Sequence, residues 1–167
     1  MDNHPSLTPC RIVVLENIRS AHNVGAIFRT AEAAGVTHIY VVGCTPSPID
    51  RFGRAVPEIV KTALGAEQIV PYTYHHDTQS VLDVLTAQEV MSVAVEQTPD
   101  ASSIYRYTPP SRVAYIFGNE VDGVQPDTLA ATQATISIPM YGRKESLNVS
   151  VSVGVTLYVT DPKSVDY

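Results

Sequence analysis

Short runs of consecutive apolar, largely β-branched residues recur along this chain, and segments with helical spacing lie between them. The runs are RIVVLENI at 11–18, THIYVV at 37–42, VMSVAV at 90–95, RVAYIF at 112–117 and TISIP at 135–139. Continuous runs, as opposed to strict alternation, belong to strands covered on both faces. A further strand is expected at 69–74. Between the strands, residues 23–34 (NVGAIFRTAEAA) place Val24, Ile27, Phe28, Ala31 and Ala34 at helical spacing, with Gly35 as a C-terminal stop. Helices are also expected at 57–64, opened by Pro57, at 78–87 and at 127–133. Residues 43–56, with Pro46 and Pro48, read as loop, and 100–110 as irregular. Strands alternating with helices predict an α/β fold, a mostly parallel sheet with helices on both faces. No repeat or linker interrupts the pattern, so one domain over residues 1–167 is expected.

The last segment conflicts with this scheme. LNVSVSVGVTLYVT at 147–160 puts valine at 149, 151, 153 and 155 with serine at 150 and 152. Strict alternation of β-branched residues predicts a strand.

Composition fits a globular chain: 44% hydrophobic, 17% charged, 167 residues. Cys10 and Cys44 match no disulfide framework, and no cysteine lies near a histidine in a ligand pattern, so no metal site is expected. The N-terminus lacks a basic-plus-apolar leader, and no run reaches the roughly 18 apolar residues of a membrane span. A cytoplasmic protein without membrane contact is expected. The net charge of −6 argues against a nucleic-acid partner, but its distribution softens this. Residues 11–65 hold six basic and four acidic side chains, whereas residues 66–130 hold two basic and nine acidic. One face can be positive while the whole is not.

Three segments carry candidate chemistry. In NIRSAHNVGAIFRTAEAAG at 17–35, a strand enters a loop and then a helix bearing Arg29, whose planar fork suits a phosphate. Alternatively Asn23 is a helix cap, Gly25 a packing residue and Arg29 a solvated charge. In FGNEVDG at 117–123, Gly118 closes a buried strand and permits close backbone approach, with Glu120 just beyond; Asp122-Gly123 also reads as a simple turn. In ISIPMYGRKESLNVSV at 136–151, a strand stops at Pro139, a loop with Gly142 follows, and Ser146-Leu147-Asn148 opens the final segment. Ser146 also fits a cap, and Arg143 and Lys144 fit solvated loop charges.

Taken together, Asn-x5-Arg after the first strand, Gly-x-Glu after a later one, and Ile-Pro-Met followed by Ser-Leu-Asn-Val-Ser resemble the three signature motifs of the SpoU/TrmH family of SPOUT methyltransferases. The resemblance runs from about residue 11 to 158. No Gly-x-Gly-x-x-Gly, Walker A or Gly-x-Ser-x-Gly competes with it.

The resemblance implies a deep C-terminal trefoil knot at about residues 113–158, an exception to the usual unthreaded chain. It makes the final segment a helix, against the alternation rule. It implies S-adenosylmethionine as methyl donor, held near Phe117, Gly118, Ile138, Met140, Leu147 and Asn148. It carries catalytic roles onto Asn23, Arg29, Glu120, Ser146 and Asn148, with Arg29 gripping phosphate or polarising a hydroxyl. RNA is the implied substrate, tRNA first and rRNA second, methylated at a ribose 2′-hydroxyl and contacted by Arg19, Arg29, Arg54, Lys61, Arg143 and Lys144. A homodimer with its site near the subunit interface is implied as well. Two departures stand out. The resemblance covers nearly the whole chain, so one close to a bare catalytic domain is expected, and Val121 follows Glu120 where many relatives have glycine. A non-catalytic RNA- or cofactor-binding protein with the same fold is the alternative.

Overall fold

The computed structural model describes residues 8–161. Seven strands form one sheet: β1 (Cys10–Glu16), β2 (His38–Val42), β3 (Tyr72–His75), β4 (Met91–Val95), β5 (Ser102–Ser103), β6 (Arg112–Phe117) and β7 (Ala134–Ser137). Their spatial order is β3-β2-β1-β6-β4-β7-β5, and every pairing is parallel. The helices are α1 (Ala21–Ala33), α2 (Pro57–Ala63), α3 (Thr78–Ala87), α4 (Pro126–Ala131) and α5 (Val149–Val159). Short 3-10 turns lie at Ala66–Gln68 and Ile104–Arg106. Among the described residues no helix is long and apolar enough to cross a membrane.

The apolar runs of the central strands serve two cores, because successive side chains point to opposite faces. Val13 and Leu15 of β1 pack with Val24, Ile27 and Phe28 of α1, Ile59 of α2, and Val153 and Leu157 of α5. Ile12 and Val14 turn the other way, toward Val81, Leu82 and Leu85 of α3 and Val124 before α4. Each fully buried Leu, Ile or Phe contributes about 1.5–3 kcal/mol. Gly25 lets α1 and α2 touch, since a Cβ there would sit 2.0 Å from Thr62 Oγ1 and 2.5 Å from the Ile59 carbonyl oxygen.

The alternation rule fails at the C-terminus, where α5 is a helix. Asn148 caps it, its side-chain oxygen accepting from Ser150 N at 2.9 Å. Val149, Val153, Thr156 and Leu157 then form one buried stripe. β-branched residues cost a helix only a few tenths of a kcal/mol each. Burying two valines and a leucine outweighs that cost. Arg11 closes the far end, its guanidinium donating to the carbonyls of Ala34 (3.1 Å) and Leu157 and to Asp161 (3.0 Å).

Other expectations shift by a few residues. The strand expected at 69–74 is β3, Tyr72–His75, because Val70 N bonds back to Ala66 and holds 66–70 in a turn. The irregular stretch 100–110 contains β5 as an edge strand against β7. Ser20, and not Asn23, caps α1, and Asn148, and not Ser146, caps α5.

Candidate active site

A cavity of about 310 Å³ opens beyond the carboxyl ends of β4, β6 and β7. That edge is where open parallel sheets bind ligands. Its walls come from the segments following the three strands: Glu96 and Gln97, Phe117–Gly123, and Ile138 through Ser152.

The wall after β6 is a tight hairpin. Asn119 Oδ1 accepts from Val121 N (2.9 Å) and Asp122 N (2.8 Å), and Gly123 N closes onto the Asn119 carbonyl at 3.0 Å. Gly123 has a φ of 70°, so the Asp-Gly pair is a turn and a cavity wall at once. Gly118 cannot carry a side chain: its Cβ would lie 1.9 Å from the Gly123 carbonyl carbon. Glu96 fastens this hairpin, one oxygen accepting from Val124 N at 2.9 Å and the other from Gln97 N at 2.8 Å. Gln97 Nε2 donates to the Ile138 carbonyl at 2.5 Å and ties the β4 and β7 walls together. Below them, the buried Glu16 carboxylate accepts from the hydroxyls of Thr78 and Thr128 and from Gln125 N at 2.8 Å. It thereby fixes α3 and the start of α4 to the end of β1.

At the mouth, the first and last motifs meet the second. Asn23 Nδ2 donates to Glu120 Oε1 at 2.7 Å, and Asn148 Nδ2 donates to Asn23 Oδ1 at 3.1 Å. Phe117, Gly118, Ile138, Met140 and Leu147 all line the cavity, as do Glu120 and Ser146. Asn148 does not line it; its side chain caps α5 and joins Asn23.

Arg29 stands apart. It lies six residues beyond Asn23, about 9 Å along the helix axis. It lines a separate groove between α1, α2 and α5 with Ala26, Thr30, Lys61, Thr62 and Tyr158. The expected meeting of Arg29 with Glu120 and Asn148 is therefore not made within a single chain, because the helix carries Arg29 away from the mouth and around to another face. The remaining basic candidates are exposed. Arg19 pairs with Asp122 at 3.3 Å and Arg54 with Asp50 at 2.9 Å; Arg143 and Lys144 lie on the 138–148 loop.

Sequence reasoning missed Glu96, Gln97 and Asn119. The signal for Glu96 and Gln97 was their place immediately after a buried strand, the same signal that marked Gly118.

The cavity lining holds Glu96, Glu120, Asp122 and Glu145 and no lysine or arginine. Such a lining favours a cationic ligand, and the apolar wall of Phe117, Ile138, Met140, Leu147 and Val149 suits a flat ring.

The chain is similar to known RNA methyltransferases. A 23S rRNA (guanosine-2′-O-)-methyltransferase of Neisseria meningitidis is 33% identical over 152 residues, covering 91% of this chain and 58% of the relative. The chain thus spans little more than half the length of that protein. A tRNA (guanosine(18)-2′-O)-methyltransferase of Thermus thermophilus is 34% identical over 156 residues, covering 92% of this chain and 73% of the relative. Among solved structures, the AdoMet-bound rRNA methyltransferase of Sinorhizobium meliloti superposes with a TM-score of 0.82 at 27% identity, over 94% of this chain and 57% of that one. Residues 11–158 match the model of the SpoU rRNA Methylase family, and this chain belongs to that family.

Proposed function

We propose that this chain is an S-adenosylmethionine-dependent methyltransferase acting on a ribose 2′-hydroxyl of structured RNA, with tRNA as the first substrate to test and rRNA the second. The observation that carries the reading is the hydrogen-bonded chain Asn148–Asn23–Glu120 at the mouth of an acidic, partly apolar cavity. Three motifs far apart in sequence supply its members. The similarity to RNA 2′-O-methyltransferases acting on both RNA classes supports it.

The cavity suits the cofactor. Its volume lies in the range of small-molecule sites, and its carboxylates complement an ammonium and a sulfonium. When bound, S-adenosylmethionine supplies an electrophilic methyl group on a cationic sulfur. Phe117, Ile138, Met140 and Leu147 hold the adenine by apolar contact, and the Gly118 backbone allows close approach. Asn23 fixes Glu120 through one carboxylate oxygen and leaves the other to accept from the ribose hydroxyl. Asn148, bonded to Asn23, ties the end of the 138–148 loop to the mouth, and Ser146 faces the cavity from that loop. Holding the hydroxyl in line is worth up to about 7–11 kcal/mol of barrier.

An acidic cavity repels phosphates, so cations outside it must hold the RNA backbone. Arg29 is suited to that role, since a guanidinium is a permanent cation and a poor base. In this chain it lines a separate groove, so the role falls to the Arg29 of a second copy. We therefore read the protein as a homodimer in which the exposed face of α5, with Val151, Tyr158 and Val159, meets its equivalent and brings each Arg29 toward the other subunit's cavity. The family resemblance supports a trefoil knot at about residues 113–158 and one methyltransferase domain over 1–167.

The test is methyl transfer from labelled S-adenosylmethionine to bulk tRNA and to rRNA, with mapping of 2′-O-methyl positions. Cofactor binding without transfer to either RNA would replace this reading with the non-catalytic one. Mixed dimers of Arg29→Ala and Glu120→Gln chains should regain activity that neither variant has alone. No recovery would end the shared-site reading.

A further inference from the structure

The loop after β2 ends in an aromatic tip that neither the core nor the cavity uses. Phe52 is 65% exposed. The Arg51 guanidinium carbon lies 4.8 Å from its ring centroid and that of Arg54 lies 5.0 Å away, both within cation–π range. The loop is held firmly despite its exposure. Asp50 Oδ1 accepts from Phe52 N at 2.8 Å and from Arg54 N at 3.0 Å, and Asp50 Oδ2 accepts from Arg54 Nε at 2.9 Å. Asp50 N bonds to the Arg54 carbonyl at 2.8 Å and Gly53 N to the Asp50 carbonyl at 2.9 Å. The Arg54 backbone, above all, holds the Asp50 carboxyl below its ordinary pKa, so the loop keeps this clamp at neutral pH.

The two arginines differ. Arg54 is tied to Asp50, whereas Arg51 has no hydrogen bond or ion pair among the described residues. Arg51 is free to swing onto a phosphate and uncover one face of the ring.

The loop also sits at the edge of the sheet that matters. It leaves the carboxyl end of β2, two strands and so about 10 Å from β6. Its root is pinned to the segment leading into α1: Thr45 Oγ1 donates to the Leu15 carbonyl and accepts from Ile18 N, each at 2.9 Å. That same segment carries Asn23 to the cavity mouth.

We propose that the loop at 49–55 is an RNA contact site, in which Phe52 stacks on an unpaired base next to the reacting nucleotide while Arg51 and Arg54 contact its phosphates. A π-face accepts any base, and flanking guanidinium groups add phosphate contacts, the combination that single-strand binders use. The site lies outside the acidic cavity and supplies affinity that the cavity cannot. It rests on the reading of the chain as an RNA-modifying protein.

The experiment is fluorescence anisotropy of the full chain with a short fluorescein-labelled single-stranded RNA of mixed sequence, and with the same strand annealed to its complement. Phe52→Ala should weaken single-strand binding about tenfold and leave duplex binding unchanged. Phe52→Trp should restore it. Arg51→Ala should lower the dependence of binding on salt by about one phosphate contact. Equal single-strand affinity for Phe52→Ala and the parent would overturn the proposal. So would failure of the parent to bind single-stranded RNA, or a changed sedimentation coefficient for Phe52→Ala, which would make the loop a subunit contact. The proposed activity is read separately, by methyl transfer at saturating RNA. If transfer occurs while Phe52→Ala binds normally, only the loop proposal fails.

Discussion

Asn23 donates to Glu120 at 2.7 Å and accepts from Asn148 at 3.1 Å, so one amide joins residues 97 and 125 positions away in the chain. All three side chains lie near the surface, where a hydrogen bond adds little to stability. Their arrangement therefore matters for positioning.

Glu120→Gln and Asn23→Ala should each lower methyl transfer at least tenfold while changing unfolding free energy by less than about 1 kcal/mol. Labelled-methyl transfer beside urea denaturation measures both. Loss of stability equal to the loss of activity would make the pair structural only.

Gly118→Ala should act differently. Its Cβ would meet the Gly123 carbonyl oxygen at 2.0 Å, a backbone collision that side-chain motion cannot relieve. The hairpin must open, at a cost of about 1–3 kcal/mol. Calorimetry should show S-adenosylmethionine binding lost while circular dichroism still reports a folded sheet.

Arg11→Met should be the more damaging change to the fold. It removes the charged donor to the C-terminal carbonyls of α1 and α5 and the ion pair between Arg11 and Asp161. A loss of roughly 2–3 kcal/mol is expected, which lowers the melting temperature by roughly 5–10 °C.

Stability should also depend on His38. Burial, and then the neighbouring His75, lower its pKa below 6.5. The unfolded chain takes up the proton first, so this contribution is whole above about pH 6.5 and is lost as pH falls through the lowered folded value. His38→Gln can keep a hydrogen bond to Thr73 and should flatten the profile of unfolding free energy against pH in that window.

Most of the fold was legible because each element carries its own period. The run Ile12–Leu15 needs cover on both faces, and the spacing of Val24, Ile27, Phe28 and Ala31 makes one helical stripe. The cavity residues were legible for a related reason. Gly118 and Ile138 stand at or just past the carboxyl ends of buried strands, and motif resemblance joined them.

Sequence alone determined the strands β1, β2, β4, β6 and β7, the α/β class and the three motifs, because those depend on local spacing and residue type; the short edge strand β5 carries no such run. Local alternation reads the valines of 149–155 as a strand and the family resemblance reads them as a helix; the tertiary structure supplies the physical reason the helix wins. The stripe of Val149, Val153 and Leu157 finds a partner face on α1 and β1, and burial there outweighs local β preference. Tertiary structure also separated Arg29 from Glu120. Which side of a helix meets which cavity depends on how the helix packs, and no spacing along the chain contains that rotation.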